Sequence, residues 1–248
     1  MQRYFIKNEQ LTNEVVEITG DDAAHITKVM RMQVGDEVIC VNEDGKAVLV
    51  QLSQFDLSSV KGTVLNEMDN ETELPIRVTV AQGLPKGDKL ETIVQKGTEL
   101  GAYAFAPFSA SRSIVKWDEK KGAKKTERLQ KIAKEAAEQA HRLFVPNVAK
   151  PVPLKVVAEA LTHYDVCIVC DEEEAKQGEK ANLKRAFAML KPGMSLLVIV
   201  GPEGGLTREE VALLSAKGAV SCSIGPRIVR TETAAMYVLA ALSYQFEL

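Results

Sequence analysis

Ser195-Leu196-Leu197-Val198-Ile199-Val200 runs straight into Gly201-Pro202-Glu203-Gly204-Gly205. A short apolar run bounded by turn formers reads as a strand buried on both faces. Beyond the loop, Thr207 and Glu210 stand three apart, the signature of a reciprocally capped helix start. Gly218 ends that helix, and residues 219–224 form the next strand. A second loop, Gly225-Pro226-Arg227, leads into a final helix over residues 231–244. Strand, helix, strand, helix is the order of an α/β unit with a largely parallel sheet.

The same alternation extends back to Ile76. Ile76, Val78 and Val80 alternate with Arg77 and Thr79 as in a strand. After the turn Gly83-Leu84-Pro85-Lys86-Gly87, Asp88 and Glu91 predict a second capping box, opening a helix that Gly101 stops. Strands are expected over residues 103–108 and 166–170, and helices over 126–142, 154–161 and 182–190. Ahead of this lies a β-rich region. Residues 15–18, 38–41, 47–50 and 60–65 read as strands, the middle two joined through Asp44-Gly45, a good hairpin turn. One short helix fits residues 22–30. Residues 66–74 are polar and without periodicity, as in a linker. The expected architecture is a small β-barrel over residues 1–70 followed by an α/β domain over residues 74–248.

At 248 residues the chain is long enough to build a sizeable core without disulfides or metals. No apolar run reaches the roughly 20 residues of a membrane span, and Met1-Gln2-Arg3-Tyr4-Phe5-Ile6 has no signal-peptide character. No membrane association and a cytoplasmic location are expected. The net charge of −3 is unevenly spread: residues 1–70 hold 6 Lys/Arg against 12 Asp/Glu, and residues 71–248 hold 25 against 22. A nucleic-acid site is expected mainly in the second part. Cys167 and Cys170 form a C-x-x-C, but three-residue spacing in a strand sends the thiols to opposite faces, which argues against zinc or redox chemistry. The three histidines show neither metal-ligand nor triad spacing.

In open α/β sheets, ligands bind beyond the C-terminal ends of strands, and both glycine-containing loops sit there. The first is neither G-x-G-x-x-G nor a phosphate loop, which disfavours a nicotinamide oxidoreductase. It fits either a tight turn or a ligand loop. Glu203 has no turn-forming purpose in it and would suit a cationic ligand such as a sulfonium. Around the second loop, Arg230 and Glu232 flank the start of the last helix, where Thr231 fits a simple N-cap. Between Arg112 and Lys134 stand nine Lys/Arg against three Asp/Glu, with Trp117 among them. That stretch fits either a solvated helix face or a phosphate-binding surface.

Four stretches carry a resemblance that spans nearly the whole chain. They are Gln95-Lys96-Gly97-Thr98-Glu99-Leu100-Gly101, Glu135-Ala136-Ala137-Glu138-Gln139, Gly201 to Gly205, and Arg227-Ile228-Val229-Arg230-Thr231-Glu232-Thr233-Ala234. With Met30-Arg31 and Gly35-Asp36, they make the sequence similar to the 16S ribosomal RNA uracil-N3 methyltransferase family of the SPOUT superfamily. Gly97 departs from the bulkier residue of that pattern. The resemblance implies a PUA-like β-barrel, an α/β domain with a trefoil knot, a homodimer, and S-adenosylmethionine as cofactor without a metal. It implies cofactor contacts at Val200, Gly201, Gly204, Gly205, Ile224, Gly225, Pro226, Arg227 and Ile228. The substrate would be 16S ribosomal RNA or the assembled small subunit. Arg230, Glu232 and Glu203 are the expected catalytic residues, with Arg230 facing the uracil anion and a carboxylate orienting it or taking its proton. Arg3, Arg31, Arg112, Lys116, Lys124, Lys125 and Arg142 are the expected RNA contacts. A transfer RNA ribose 2′-O-methyltransferase and a non-catalytic RNA-binding or ribosome-assembly factor are the competing expectations.

Overall fold

A computed structural model describes residues 1–12, 14–69, 71–115, 117, 119–179 and 181–248. Lys116 lies outside them. The chain divides into two compact units, Met1–Glu73 with Ala137–Val145, and Leu74–Ala136 with Pro146–Leu248.

The first unit is a six-stranded mixed sheet. Its strands are β1 (Arg3–Phe5), β2 (Leu11–Thr12), β3 (Val15–Thr19), β4 (Glu37–Val41), β5 (Ala47–Phe55) and β6 (Ser59–Met68), in the order β1-β4-β5-β6-β3-β2. Only β1 pairs in parallel, with β4. Alternate residues turn inward, so Val16, Ile18, Val38, Cys40, Val48, Val50 and Leu52 meet in one core. The expected helix is there as α1 (Gly20–Ala24), continued by a π-helical turn over His25–Val29. The expected linker is shorter than its polarity implies. Asn66, Glu67 and Met68 still pair with Leu49, Val48 and Ala47.

Ala137–Val145 belongs to this unit through buried polar contacts. Arg142 is only 2% exposed; its Nε donates to Glu73 Oε2 at 2.9 Å, and Leu143 N donates to Glu73 Oε1 at 2.7 Å. The guanidinium also stacks on Phe144, 4.6 Å from the ring centre. Arg3, 3% exposed, donates from Nη1 to the carbonyls of His141 and Arg142 at 2.7 and 2.8 Å. This corrects the expectation for Arg3 and Arg142 as RNA contacts. Both side chains are buried inside the unit, where they are not exposed to a phosphate.

The second unit holds a parallel sheet. Its strands are β7 (Arg77–Gly83), β8 (Ala104–Ser109), β9 (Asn147–Val148), β10 (Val152–Pro153), β11 (Val166–Cys170), β12 (Ser195–Val200) and β13 (Val220–Cys222). The order is β10-β8-β7-β12-β11-β13, with β9 also on β8. Central strands are buried on both faces, as their near-continuous apolar sequences require. The helices are α2 (Lys89–Glu99), α3 (Glu119–Gln139), α4 (Leu154–Ala160), α5 (Glu172–Lys176), α6 (Asn182–Met189), α7 (Arg208–Ala216) and α8 (Thr231–Phe246). No helix among the described residues is long and apolar enough to cross a membrane.

One of the two expected capping boxes forms. At α7, Thr207 Oγ1 accepts from Glu210 N, and Glu210 Oε2 accepts from Thr207 N at 2.9 Å. At α2, Asp88 has φ −95° and ψ 11°, not the extended backbone an N-cap needs, and its side chain caps nothing. Glu91 instead takes Arg128 at 2.7 Å. The C-x-x-C thiols diverge as strand geometry demands: Cys167 packs in the core, and Cys170 lines a pocket.

Candidate active site

The C-terminal ends of β11 and β12 and the loop after β13 open on one pocket of about 490 Å³, a size suited to a nucleoside-type ligand. Two loops wall it, as the switch points of α/β sheets predict. The first leaves β12. Gly205 sits at φ +66°, a backbone state closed to most side chains. A Cβ on Gly201 would lie 3.0 Å from the Gly205 carbonyl carbon, so the loop folds tightly on itself. Arg112 holds its outer edge, donating from Nη1 to the Gly204 carbonyl at 2.9 Å. The second loop, residues 224–230, supplies Ile224, Gly225, Arg227, Ile228 and Arg230.

Most expected site residues converge here. Val200, Gly201, Glu203, Gly205, Ile224, Gly225, Arg227, Ile228 and Arg230 all line the pocket. Gly204 and Pro226 belong to the same loops but are not among the lining residues. Glu232, the second residue of α8, is not among the lining residues and meets the site's charges through Lys89; Arg230 is the N-cap of that helix. Arg112 lines the pocket as well, as a clamp on the glycine loop. Lys124 and Lys125 are exposed on α3, and Lys125 Nζ lies 4.8 Å from the Trp117 ring centre. Arg31 is exposed in the first unit at φ +53°.

The charges are organised around a residue the sequence reading missed. Lys89, in the first turn of α2, lies 2.9 Å from Glu203 Oε1 and 3.5 Å from Glu232 Oε2. Glu203 also accepts from the backbone N–H of Lys86 at 3.0 Å. Burial opposes its ionisation, yet hydrogen bonds from Lys89 and the backbone hold its carboxyl below the ordinary carboxylate range. The Glu203 hydrogen bond raises the Lys89 ammonium above its usual value in return. Glu232 Oε2 is buried and has no hydrogen-bond partner among the described residues, its contact with Lys89 being a longer ionic one.

The opposite wall was not expected either. Asp171 caps α5 and takes a fork from Arg208, both bonds at 2.8 Å. Burial opposes its charge, but the bonds from Arg208 and Glu173 N hold its carboxyl low. Glu172 and Glu173 line the pocket beside it. The available signal was a run of four acids, Asp171 to Glu174, directly after a buried strand. The apolar side is Leu206, Val211, Ile224, Ile228 and Ala234. A ligand with a flat apolar part, hydroxyls and a positive centre matches this mixture of walls.

A parallel sheet whose strand ends meet at such a pocket is the architecture of an α/β enzyme, and here the class is RNA methyltransferase. A family model described as an RNA methyltransferase domain matches residues 72–243, and one described as an RNA methyltransferase PUA domain matches residues 18–65. The chain belongs to the ribosomal RNA small subunit methyltransferase E family. It is 48% identical to the Bacillus subtilis ribosomal RNA small subunit methyltransferase E, over 100% of this chain and 98% of that one. Among solved structures, a protein described as hypothetical is 46% identical, with a TM-score of 0.92 over 99% of both chains. The Neisseria gonorrhoeae ribosomal RNA small subunit methyltransferase E, bound to S-adenosyl methionine, is 26% identical, with a TM-score of 0.85 over 99% of this chain and 98% of that one.

Proposed function

We propose that the protein transfers the methyl group of S-adenosylmethionine to N3 of a uridine in 16S ribosomal RNA. The observation that carries this reading is the convergence of the glycine loop, Arg230, Glu203 and Lys89 on one pocket, with Glu232 joined to it through Lys89. The cofactor fits the wall chemistry: loop backbone and apolar side chains for its base, and carboxylates for hydroxyl and cationic groups. When bound, it supplies an electrophilic methyl carbon.

The protein's part is to prepare the nucleophile. Uracil N3 carries a proton at neutral pH, and that proton must leave for the nitrogen lone pair to attack. Glu203 is a poor acceptor, because Lys86 N and Lys89 already occupy it. Glu232 Oε2 is buried with only the longer 3.5 Å contact to Lys89 among the described residues, and Glu232 is the general base of this reading. Arg230 faces the negative charge that spreads to the uracil oxygens. The target base must be unpaired or flipped out, since N3 lies on the pairing edge.

Val200, Gly201, Gly204, Gly205, Ile224, Gly225, Pro226, Arg227 and Ile228 form the cofactor contacts. Arg31, Lys124 and Lys125 serve the RNA, with Arg112 acting first on the loop. We further place the protein in the cytoplasm, working as a homodimer on the small ribosomal subunit, its C-terminal domain closed by a trefoil knot. Tyr237 and Tyr244 on α8 are exposed and support a self-association surface.

The test is direct. Purified protein and S-adenosylmethionine are incubated with small subunits from cells lacking the gene, and the digested nucleosides are weighed by mass spectrometry. New 3-methyluridine supports the reading. A ribose-methylated nucleoside, or no methylation of subunits or free RNA, overturns it.

A further inference from the structure

We propose that Gln82 and Thr231 form a buried positioning pair that locks the catalytic end of α8 to the cofactor loop. This inference rests on the methyl-transfer reading above.

Gln82 lies in the second unit's central strand β7 and is completely buried. Its amide nitrogen reaches three acceptors on three segments. These are Thr231 Oγ1 at 2.8 Å, the carbonyl of Gly83 at 3.0 Å and the carbonyl of Gly201 at 3.3 Å. Thr231 Oγ1 donates in turn to the Gly201 carbonyl at 2.6 Å. Carbonyl oxygens only accept, so the nitrogen end of the Gln82 amide must face them. That leaves Gln82 Oε1 buried without a partner among the described residues. A buried unpaired oxygen is unfavourable, and the arrangement tolerates it to keep this junction.

Thr231 does not act as the N-cap its sequence position invites. Arg230 is the cap, and Thr231 is the first residue of the helix. Its hydroxyl therefore serves a tertiary purpose. Gly201 opens the cofactor loop, where β12 ends and the carbonyl lacks a strand partner. Thr231 stands between Arg230 and Glu232, which would handle the uracil. One hydrogen-bonded knot of three groups thus fixes the distance from cofactor to base. A misplacement near 1 Å costs about 100-fold in rate.

The test uses the full chain with Thr231→Val, Thr231→Ser, Gln82→Met and the Gln82→Met/Thr231→Val double variant. Three quantities are read: S-adenosylmethionine affinity by calorimetry, single-turnover methyl transfer at saturating cofactor, and the unfolding midpoint. Thr231→Val should slow transfer about tenfold or more, with cofactor affinity changed less than threefold. Thr231→Ser, which keeps the hydroxyl, should restore the rate. The double variant should be no slower than the worse single one, because both remove one device. Unchanged transfer in Thr231→Val, a serine variant as slow as the valine one, or multiplying losses in the double variant would each overturn the proposal. Failure of the wild-type chain to methylate any RNA would instead sink the function on which it rests.

Discussion

Lys89 Nζ stands 2.9 Å from Glu203 Oε1, an ammonium on α2 holding a carboxylate of the glycine loop. The same nitrogen reaches Glu232 on α8. One ammonium thus bridges two carboxylates carried by different elements, the glycine loop and α8.

Lys89→Met should lower methyl transfer by about ten- to a hundredfold. Lys89→Arg should recover part of the loss, because charge is restored but fork geometry differs from a point charge. Single-turnover assays decide it. A methionine variant at the wild-type rate would remove Lys89 from the reaction.

Glu232→Gln and Glu203→Gln should separate the two carboxylates. If Glu232 is the general base proposed above, the first should cost about a hundredfold or more in transfer. The second should mainly weaken cofactor binding, since Glu203 is anchored to Lys86 N and Lys89. Equal losses in rate with unchanged affinity would reverse the assignment.

Gly83→Ala should loosen the glycine loop from β7. The added Cβ would sit 2.6 Å from Pro202 Cδ and 2.7 Å from Pro202 N. Because one of these is backbone, the loop itself must move. Cofactor affinity by calorimetry should fall about tenfold or more, in line with the cost of overpacking. An unaltered affinity would mean that the loop adapts freely.

Asp171→Asn should cost about 1–2 kcal/mol of stability at neutral pH, limited by the solvent exposure of Arg208. The folded Asp171 carboxyl is held below its ordinary value of 3.8. Its contribution is therefore present above that value and is lost as pH falls through the folded one. Urea unfolding of both proteins at pH 7 and at about pH 3 should show the gap closing in acid. A gap that widens in acid would contradict the pairing.

The strands of the second unit were legible because burial on both faces writes itself as apolar runs; Ser195–Val200 and Val166–Cys170 begin and end where the pattern says. The pocket loops were legible for the same reason, as glycines at strand ends. Local rules faltered where tertiary structure chose the backbone. Asp88 and Thr207 carry the same capping pattern, yet only Thr207 has extended dihedrals. Charge was also ambiguous: an arginine destined for a buried fork, such as Arg142, reads like one destined for phosphate. Lys89 and Gln82 were missed because their contacts arise only when α2, β7, the glycine loop and α8 meet. A glutamine directly after the apolar Val80-Ala81 near the end of β7 was the one trace of this, since buried amides need partners.

The first unit is assembled from two separate stretches of chain, Met1–Glu73 and Ala137–Val145. On a translating ribosome it therefore cannot finish when its last strand emerges. Glu73 waits for Arg142, and Arg3 waits for the carbonyls of His141 and Arg142, through the synthesis of most of α3 and two strands of the other unit. A gene fragment cut after Glu73 would encode a body with an unpaired arginine at its seam. The two units are thus a single translational product in a stricter sense than beads on a string.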